Sequence, residues 1–165
     1  MIVLNRIDDR LIHGQVVEGW VNFLKATWIF VADDTVASNA LQRSIIELSV
    51  PQGLKVTVGR IDDICKQLKN SSLDTERVIL LFSNPASFLQ ALKTGLDFTM
   101  LNIGGMHFTP GKRKLLDVLA VDDADLRALR EISSRGIQVY VQAVPTQRPL
   151  PLETVFTTCR LGGKL

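Results

Sequence analysis

Residues 77–85 read Arg-Val-Ile-Leu-Leu-Phe-Ser-Asn-Pro, and this stretch decides the fold class. The five residues after the arginine form an unbroken apolar run, which is typical of a strand covered by helices on both faces of a parallel sheet. Asn84 can cap the helix that follows, and Pro85 suits its first turn. We therefore predict a strand at Arg77–Phe82 followed directly by a helix at Pro85–Thr94.

The same alternation of short apolar runs and longer amphipathic segments extends along the chain. It predicts six strands, at Ile2–Ile7, Thr27–Ala32, Lys55–Val58, Arg77–Phe82, Thr99–Ile103 and Ile137–Ala143. Apolar spacings of three and four predict helices at Gln15–Lys25, Asn39–Ser49, Asp62–Asn70, Pro85–Thr94 and Asp122–Arg135, with a short final helix near Leu152–Thr158. This order indicates an α/β fold, a three-layer α/β/α structure with an open, mainly parallel sheet. The sheet has six strands, or seven if Lys112–Ala120 adds an edge strand.

Size and composition fit one globular domain, which we place at residues 1–165. The 19 basic and 17 acidic residues are spread along the chain, and this balance argues against a nucleic-acid surface. Cys65 and Cys159 lack the spacing of a disulfide framework or a zinc site. No apolar stretch approaches the roughly 18 residues of a membrane span. We therefore expect a cytoplasmic protein with no nucleic-acid partner, no membrane span of its own, no metal and no cofactor.

The loop between the first strand and the first helix is chemically unusual. Residues 6–16 read Arg-Ile-Asp-Asp-Arg-Leu-Ile-His-Gly-Gln-Val, with two guanidinium groups, two carboxylates and one imidazole. In open parallel sheets, ligands and reactive groups gather in such loops at the carboxyl ends of strands. A neutral imidazole offers a ring nitrogen as a nucleophile, so His13 is a candidate for a reversible phosphoryl acceptor.

Other residues of this loop suit a phosphoryl group bound without a metal. Arg6 and Arg10 can clamp it by neutralising the charge on its equatorial oxygens. The amides of Gly14, Gln15 and Val16 begin a helix, where unpaired N–H groups bind anions. The loop therefore predicts a phosphate site assembled from three independent parts: the imidazole, the guanidinium groups and the helix amides.

The two carboxylates of the loop leave alternatives open. Asp8 or Asp9 can orient the imidazole by accepting a hydrogen bond from its second nitrogen, and the sequence does not decide between them. On residue types alone, a surface network of Arg–Asp salt bridges beside an ordinary surface histidine explains the loop equally well. Residue chemistry by itself therefore does not establish a functional site.

Other strand ends carry weaker candidates. Ser83 could donate its hydroxyl group to a phosphate, although helix capping explains most of its segment. We interpret residues 102–107, Asn-Ile-Gly-Gly-Met-His, as a turn that shapes the wall of the site, and we favour that over a function for His107 itself. The pair Asp33 and Asp34 reads as a solvated turn rather than a cation site.

The two tryptophans do not indicate a ligand-binding site. Trp20 and Trp28 each lie in an apolar element, and both are better explained as core residues than as stacking platforms. We therefore leave both out of the predicted site.

Residues 6–16 resemble the signature of the enzyme IIB components of the mannose, fructose and sorbose family of the bacterial phosphoenolpyruvate-dependent sugar phosphotransferase system (PTS). The resemblance continues in order along nearly the whole chain, through Val17 and Trp20, Leu81–Pro85, Asn102–Met106 with Gly111 and Lys112, and Val144–Thr146. It implies an α/β/α fold with a mainly parallel sheet and a tendency to form homodimers.

The same resemblance implies a relay. His13 would accept a phosphoryl group on Nδ1 from the phosphohistidine of enzyme IIA and pass it to a sugar bound by the membrane components IIC and IID. Arg6 and Arg10 take the positions expected to hold the group, and Ser83 faces it from the neighbouring strand end. The chain would then be a transferase associated peripherally with a transporter. The alternatives are a regulatory phosphocarrier without transport and a nucleotide-binding α/β module without covalent chemistry.

Overall fold

The computed structural model describes residues 1–70, 73 and 75–162, and within them the chain forms three layers around a seven-stranded sheet. The strand order is β3-β2-β4-β1-β5-β8-β9, and every neighbouring pair is parallel except the antiparallel pair β8–β9. The strands are β1 (Ile2–Asp8), β2 (Trp28–Ala32), β3 (Lys55–Gly59), β4 (Val78–Phe82), β5 (Met100–Gly105), β8 (Gln138–Val141) and β9 (Leu150–Pro151). The predicted fold class is confirmed, and all six predicted strands are present.

Helices cover both faces of this sheet. The first, α1, is a π-type segment (Gln15–Val21) continued by a short α-helical turn (Asn22–Leu24). The others are α2 (Asp34–Ser38), α3 (Ala40–Leu48), α4 (Ile61–Asn70), α5 (Pro85–Lys93), α6 (Asp123–Ser134) and α7 (Leu152–Leu161). The predicted helices are confirmed, whereas α2 was missed because five residues are too few to show a helical period. No helix of the described residues is long and apolar enough to cross a membrane.

The prediction that Lys112–Ala120 adds an edge strand to the sheet is wrong. In the structure this region forms a hairpin of its own, β6 (Arg113–Leu116) paired antiparallel with β7 (Leu119–Val121). The seventh strand of the main sheet is instead β9, a two-residue strand in the proline-rich connection. Prolines favour extended backbone, and an edge position tolerates their missing N–H.

Strand β4 shows why the apolar run decides the architecture. All five of its residues are buried, and their side chains alternate between the two faces of the sheet. Leu80 and Phe82 pack in the core on one side, whereas Ile79 and Leu81 pack on the other side with Val16 of α1. An unbroken apolar strand therefore has a hydrophobic partner layer above and below it, as predicted.

The fold brings three loops to one edge of the sheet. Strand β1 lies between β4 and β5, and Ile7 is in register with both Phe82 and Ile103. Asp8, one residue further, is in register with Gly105. The carboxyl ends of these three parallel strands therefore meet, and the unusual loop after β1 lies at their junction.

Candidate active site

Asp8, the last residue of β1, is at the centre of the site. Its side chain is completely buried, and Oδ2 lies 2.7 Å from Nη2 of Arg6 and 3.0 Å from Nε2 of His13. Burial alone would raise the pKa of Asp8, but the hydrogen bond with His13 and the charge of Arg6 outweigh this and lower the pKa. The carboxylate is therefore ionised near neutral pH.

The contact with Asp8 determines how His13 is presented. An ionised carboxylate only accepts hydrogen bonds, so Nε2 carries the proton and the neutral ring keeps its lone pair on Nδ1. Among the described residues, none makes a hydrogen bond to Nδ1, and the side chain is 16% exposed. The sequence left the choice between Asp8 and Asp9 open, and in the structure Asp8 makes this contact.

Arg6 lies beneath the loop, and its side chain has no exposed surface. Its terminal nitrogens donate hydrogen bonds to four acceptors: Asp8 Oδ2 at 2.7 Å, Asn102 Oδ1 at 2.5 Å, and the carbonyl oxygens of Gln142 and Ala143, each at 3.1 Å. The ring of Trp20 covers the guanidinium group, with Cζ 5.6 Å from the ring centroid. Arg6 is thus held by the protein itself.

This burial changes what Arg6 can do. Burial lowers the pKa of Arg6, while the charge of Asp8 acts in the opposite direction. A phosphoryl group on the loop surface does not reach these nitrogens unless it displaces their buried partners. The prediction that Arg6 clamps the phosphoryl group directly therefore does not fit this geometry, which suits an anchor for Asp8.

Arg10 is the guanidinium group that stays at the surface. Its side chain is 46% exposed, and Nε lies 3.8 Å from Oδ1 of Asp8. Its Nη2 donates a hydrogen bond to Oε1 of Gln15 at 3.1 Å, and its backbone amide donates to Oδ1 of Asp8 at 3.2 Å. An exposed arginine beside the Asp8 carboxylate can turn toward an anion without breaking a buried contact.

The start of α1 offers fewer free amides than predicted. The amides of Val16 and Val17 both donate to the carbonyl oxygen of His13, at 2.9 and 3.0 Å, so the prediction of a free amide at Val16 is wrong. In the part of the chain described, the amides of Gly14 and Gln15 have no such backbone acceptor. A Cβ added to Gly14 would meet nothing within 4 Å, so the space beside it is open to a ligand.

Ser83 is engaged with a carboxylate. Its hydroxyl group donates to Oδ2 of Asp33, whose other oxygen caps α2 by accepting the amide of Val36 at 2.8 Å. Asp34 accepts the first amide of α4 at 2.9 Å. The two aspartates therefore tie loops and helix ends together. Among the described residues, no group of three potential metal ligands was found.

Asp9 pairs with His107 rather than with His13. Its Oδ2 accepts the backbone amide of His107 at 2.7 Å, and its Oδ1 lies 2.6 Å from Nδ1 of the ring. The turn predicted at residues 102–107 is wrong, because β5 continues through Gly105. Gly104 is needed for close approach, since a Cβ there would lie 1.7 Å from Cζ of Arg6.

The sequence reasoning missed the groups that hold Arg6. Asn102 could have been identified from the sequence, because it is a polar residue inside an apolar strand and must find a buried partner. The carbonyl oxygens of Gln142 and Ala143 could not have been identified in this way, since every residue carries a carbonyl group. Trp20 was correctly expected in the core, but its position over a buried charge was not.

One family model and several known proteins match nearly the whole chain. The model described as PTS system sorbose subfamily IIB component matches residues 2–162. The N-acetylgalactosamine-specific phosphotransferase enzyme IIB component 2 of Escherichia coli (strain K12) is 34% identical, over 92% of this chain and 96% of its own length. The mannose-specific EIIAB component of the same strain is 34% identical, over 92% of this chain and 47% of its own length. The crystal structure of the IIBSor domain of the sorbose permease from Klebsiella pneumoniae has a TM-score of 0.89 at 32% identity, covering 96% of this chain and 97% of that one.

Proposed function

This chain belongs to the sorbose subfamily of PTS IIB components, and we propose that His13 is the residue on which it carries the phosphoryl group. IIB components are phosphocarrier subunits of sugar uptake, and the chain is accordingly a phosphotransferase that passes phosphoryl groups to sugar. The observation that carries the assignment of His13 is its contact with Asp8. This contact holds Nε2 at 3.0 Å and leaves Nδ1 without a partner among the described residues.

The reaction at His13 is an in-line displacement. The lone pair of Nδ1 attacks the phosphorus atom, a new P–N bond forms, and the P–N bond to the donor histidine breaks. Asp8 stabilises the positive charge that develops on the imidazole, because its ionised carboxylate accepts the Nε2 proton throughout. No proton has to leave the His13 ring for the group to move on.

The phosphoryl oxygens are held by groups at the loop surface. Arg10 is exposed and lies beside the Asp8 carboxylate, so its guanidinium group can turn to form paired hydrogen bonds with two oxygens. The amides of Gly14 and Gln15 add donors at the start of α1. Ser83 contributes from the end of β4, once its hydroxyl group exchanges Asp33 for a phosphoryl oxygen.

Arg6 acts through Asp8 in this proposal. It is too buried to meet the phosphoryl group, but its charge lowers the pKa of Asp8 and its hydrogen bonds fix the carboxylate. Asp8 in turn orients His13. Arg6 is therefore a positioning residue, and Asp9 is left out of the orientation of His13.

The partners follow from the family. The donor is a IIA component, in keeping with the matched mannose-specific relative, whose name joins IIA and IIB, and the final acceptor is a sugar bound by IIC and IID. We propose that the chain acts from the cytoplasm, associates peripherally with the transporter and forms a homodimer. The relatives are named as sugar-specific components, which favours transport over the regulatory alternative.

A phosphorylation assay tests the assignment. Phosphoenolpyruvate, enzyme I, the histidine carrier protein and a cognate IIA are combined with the chain, and the labelled residue is mapped under alkaline conditions that preserve phosphohistidine. The label is expected on His13 of the wild type. His13→Ala is expected to accept none while it keeps the circular dichroism spectrum of the wild type. Undiminished labelling of His13→Ala would overturn the proposal.

A further inference from the structure

The site contains a second histidine with a carboxylate of its own. His107 follows the end of β5, and Asp9 holds it twice, through its backbone amide at 2.7 Å and through Nδ1 at 2.6 Å. Both oxygens of Asp9 are therefore used by one residue. The position of the His107 ring is therefore fixed relative to the loop that carries His13.

The ring of His107 lies close to the carboxylate that orients His13. A Cβ added to Gly105 would lie 3.0 Å from Cε1 of His107 and 3.4 Å from Oδ1 of Asp8, so the two side chains border the same small space. Cε1 is the ring atom between Nδ1 and Nε2, and Asp9 already holds Nδ1. No hydrogen bond to Nε2 is found among the described residues, and the side chain is 43% exposed, so this edge of the ring is open to a ligand.

We propose that His107 is a phosphoryl-binding residue, which donates a hydrogen bond from Nε2–H to an oxygen of the phosphoryl group on His13. This inference rests on the proposed role of His13. It sets aside the expectation that His107 only shapes the wall of the site. His107 gains and loses no covalent bond in the transfer, and the P–N bonds form and break as described above.

The contribution of His107 depends on its protonation. In the charged ring both nitrogens carry protons, so Nδ1–H bonds Asp9 while Nε2–H bonds the phosphoryl oxygen. In the neutral ring Asp9 retains the Nδ1 proton, and Nε2 becomes an acceptor that cannot bind an anion. Asp9 is the charged group that contacts the ring, and Asp8 with its own partners lies near it beside Gly105. His107 therefore binds the phosphoryl oxygen only in the form whose Nε2 carries a proton.

The test compares variants at position 107 with a neighbouring control. The rate and the equilibrium extent of His13 phosphorylation by phospho-IIA are measured for each variant at several pH values. His107→Ala is expected to slow transfer about tenfold, as fits the loss of one charge-assisted hydrogen bond. His107→Gln, whose amide donates at every pH, is expected to recover most of the rate. Phe108→Ala, a change at an exposed neighbour, is expected to match the wild type.

Two outcomes would overturn the inference while leaving the proposed function in place. One is a His107→Ala rate equal to that of Phe108→Ala at every pH. The other is a loss that glutamine does not recover, which would mean a structural role only. Failure of the proposed function is a separate result, since the wild type itself would then carry no label on His13.

Discussion

Two aspartate–histidine pairs stand side by side in this molecule, and they differ in burial. Asp8 is completely buried, bonded to Arg6, and holds His13 by Nε2. Asp9 is 36% exposed and holds His107 by Nδ1. The same two residue types, one position apart in the sequence, thus present opposite ring nitrogens from different environments.

The two pairs differ in the other group that binds the carboxylate, which is Arg6 for Asp8 and the backbone amide of His107 for Asp9. Buried Asp8 stays ionised because of its hydrogen bond with His13 and the charge of Arg6, and it offers His13 a carboxylate of fixed position and charge. Exposed Asp9 needs no such support because water solvates it. We expect the Asp8 pair to be important for folding and transfer, and the Asp9 pair to be important for transfer alone.

Replacing each aspartate by asparagine is expected to give the largest difference between the two pairs. Asp8→Asn leaves the charge of Arg6 buried without a counter-ion, which is expected to cost about 3–5 kcal/mol of unfolding free energy. Asp9→Asn removes an exposed pair and is expected to cost less than about 1 kcal/mol. Urea unfolding of both variants measures the difference. Equal costs would show that burial does not distinguish the pairs.

Two glycines test the packing around Arg6. Gly104→Ala places a methyl group 1.7 Å from Cζ of Arg6, so Arg6 or the strand has to move. The expected cost is about 1–3 kcal/mol, with slower phosphorylation because Asp8 shifts too. Gly14→Ala meets open space and is the matched control, with an expected change in stability within about 0.5 kcal/mol. A Gly104→Ala protein as stable as the control would show that Arg6 is not confined as described.

A substitution of Arg10 tests the surroundings of the Asp8–His13 pair. Arg10→Lys keeps the positive charge but loses the paired geometry of the guanidinium group, so transfer is expected to slow about tenfold. Stability is expected to change by less than about 0.5 kcal/mol, because the side chain is half exposed. Single-turnover phosphorylation and urea unfolding, run together, separate the two effects. An unchanged rate would rule out the clamp role of Arg10.

The pH dependence of stability is the smallest expected effect. The folded-state pKa of Asp8 is lowered, so its contribution is present above the ordinary aspartate value of about 3.9 and is lost as the pH falls through the lowered value. Urea midpoints measured from pH 7 to pH 3 are expected to fall less steeply for Asp8→Asn than for the wild type. Asp9→Asn is the control and should keep the slope of the wild type. Identical slopes in all three proteins would show that the folded protein does not lower the pKa of Asp8.

Much of the site could be read from residue spacing alone. Arg6 and Asp8 are two residues apart on β1, which runs one residue beyond the predicted strand Ile2–Ile7, so their side chains share one face, while Asp9 follows the end of β1. This argument alone would have favoured Asp8 over Asp9 as the partner of a buried arginine. The burial of Arg6 was harder to predict, because arginine is ordinarily exposed unless it is paired.

The strand and helix order, the loop at residues 6–16 and the candidacy of His13 came from the sequence by itself, because hydrophobic period and capping chemistry are local properties. Only the tertiary structure decided that Arg6 lies inside, that Asp8 holds His13 and that Asp9 holds His107. Those contacts join residues up to 137 positions apart, such as Arg6 and the carbonyl of Ala143. The separate β6–β7 hairpin was decided in the same way, since a strand pairs with whichever neighbour the packed core brings within reach.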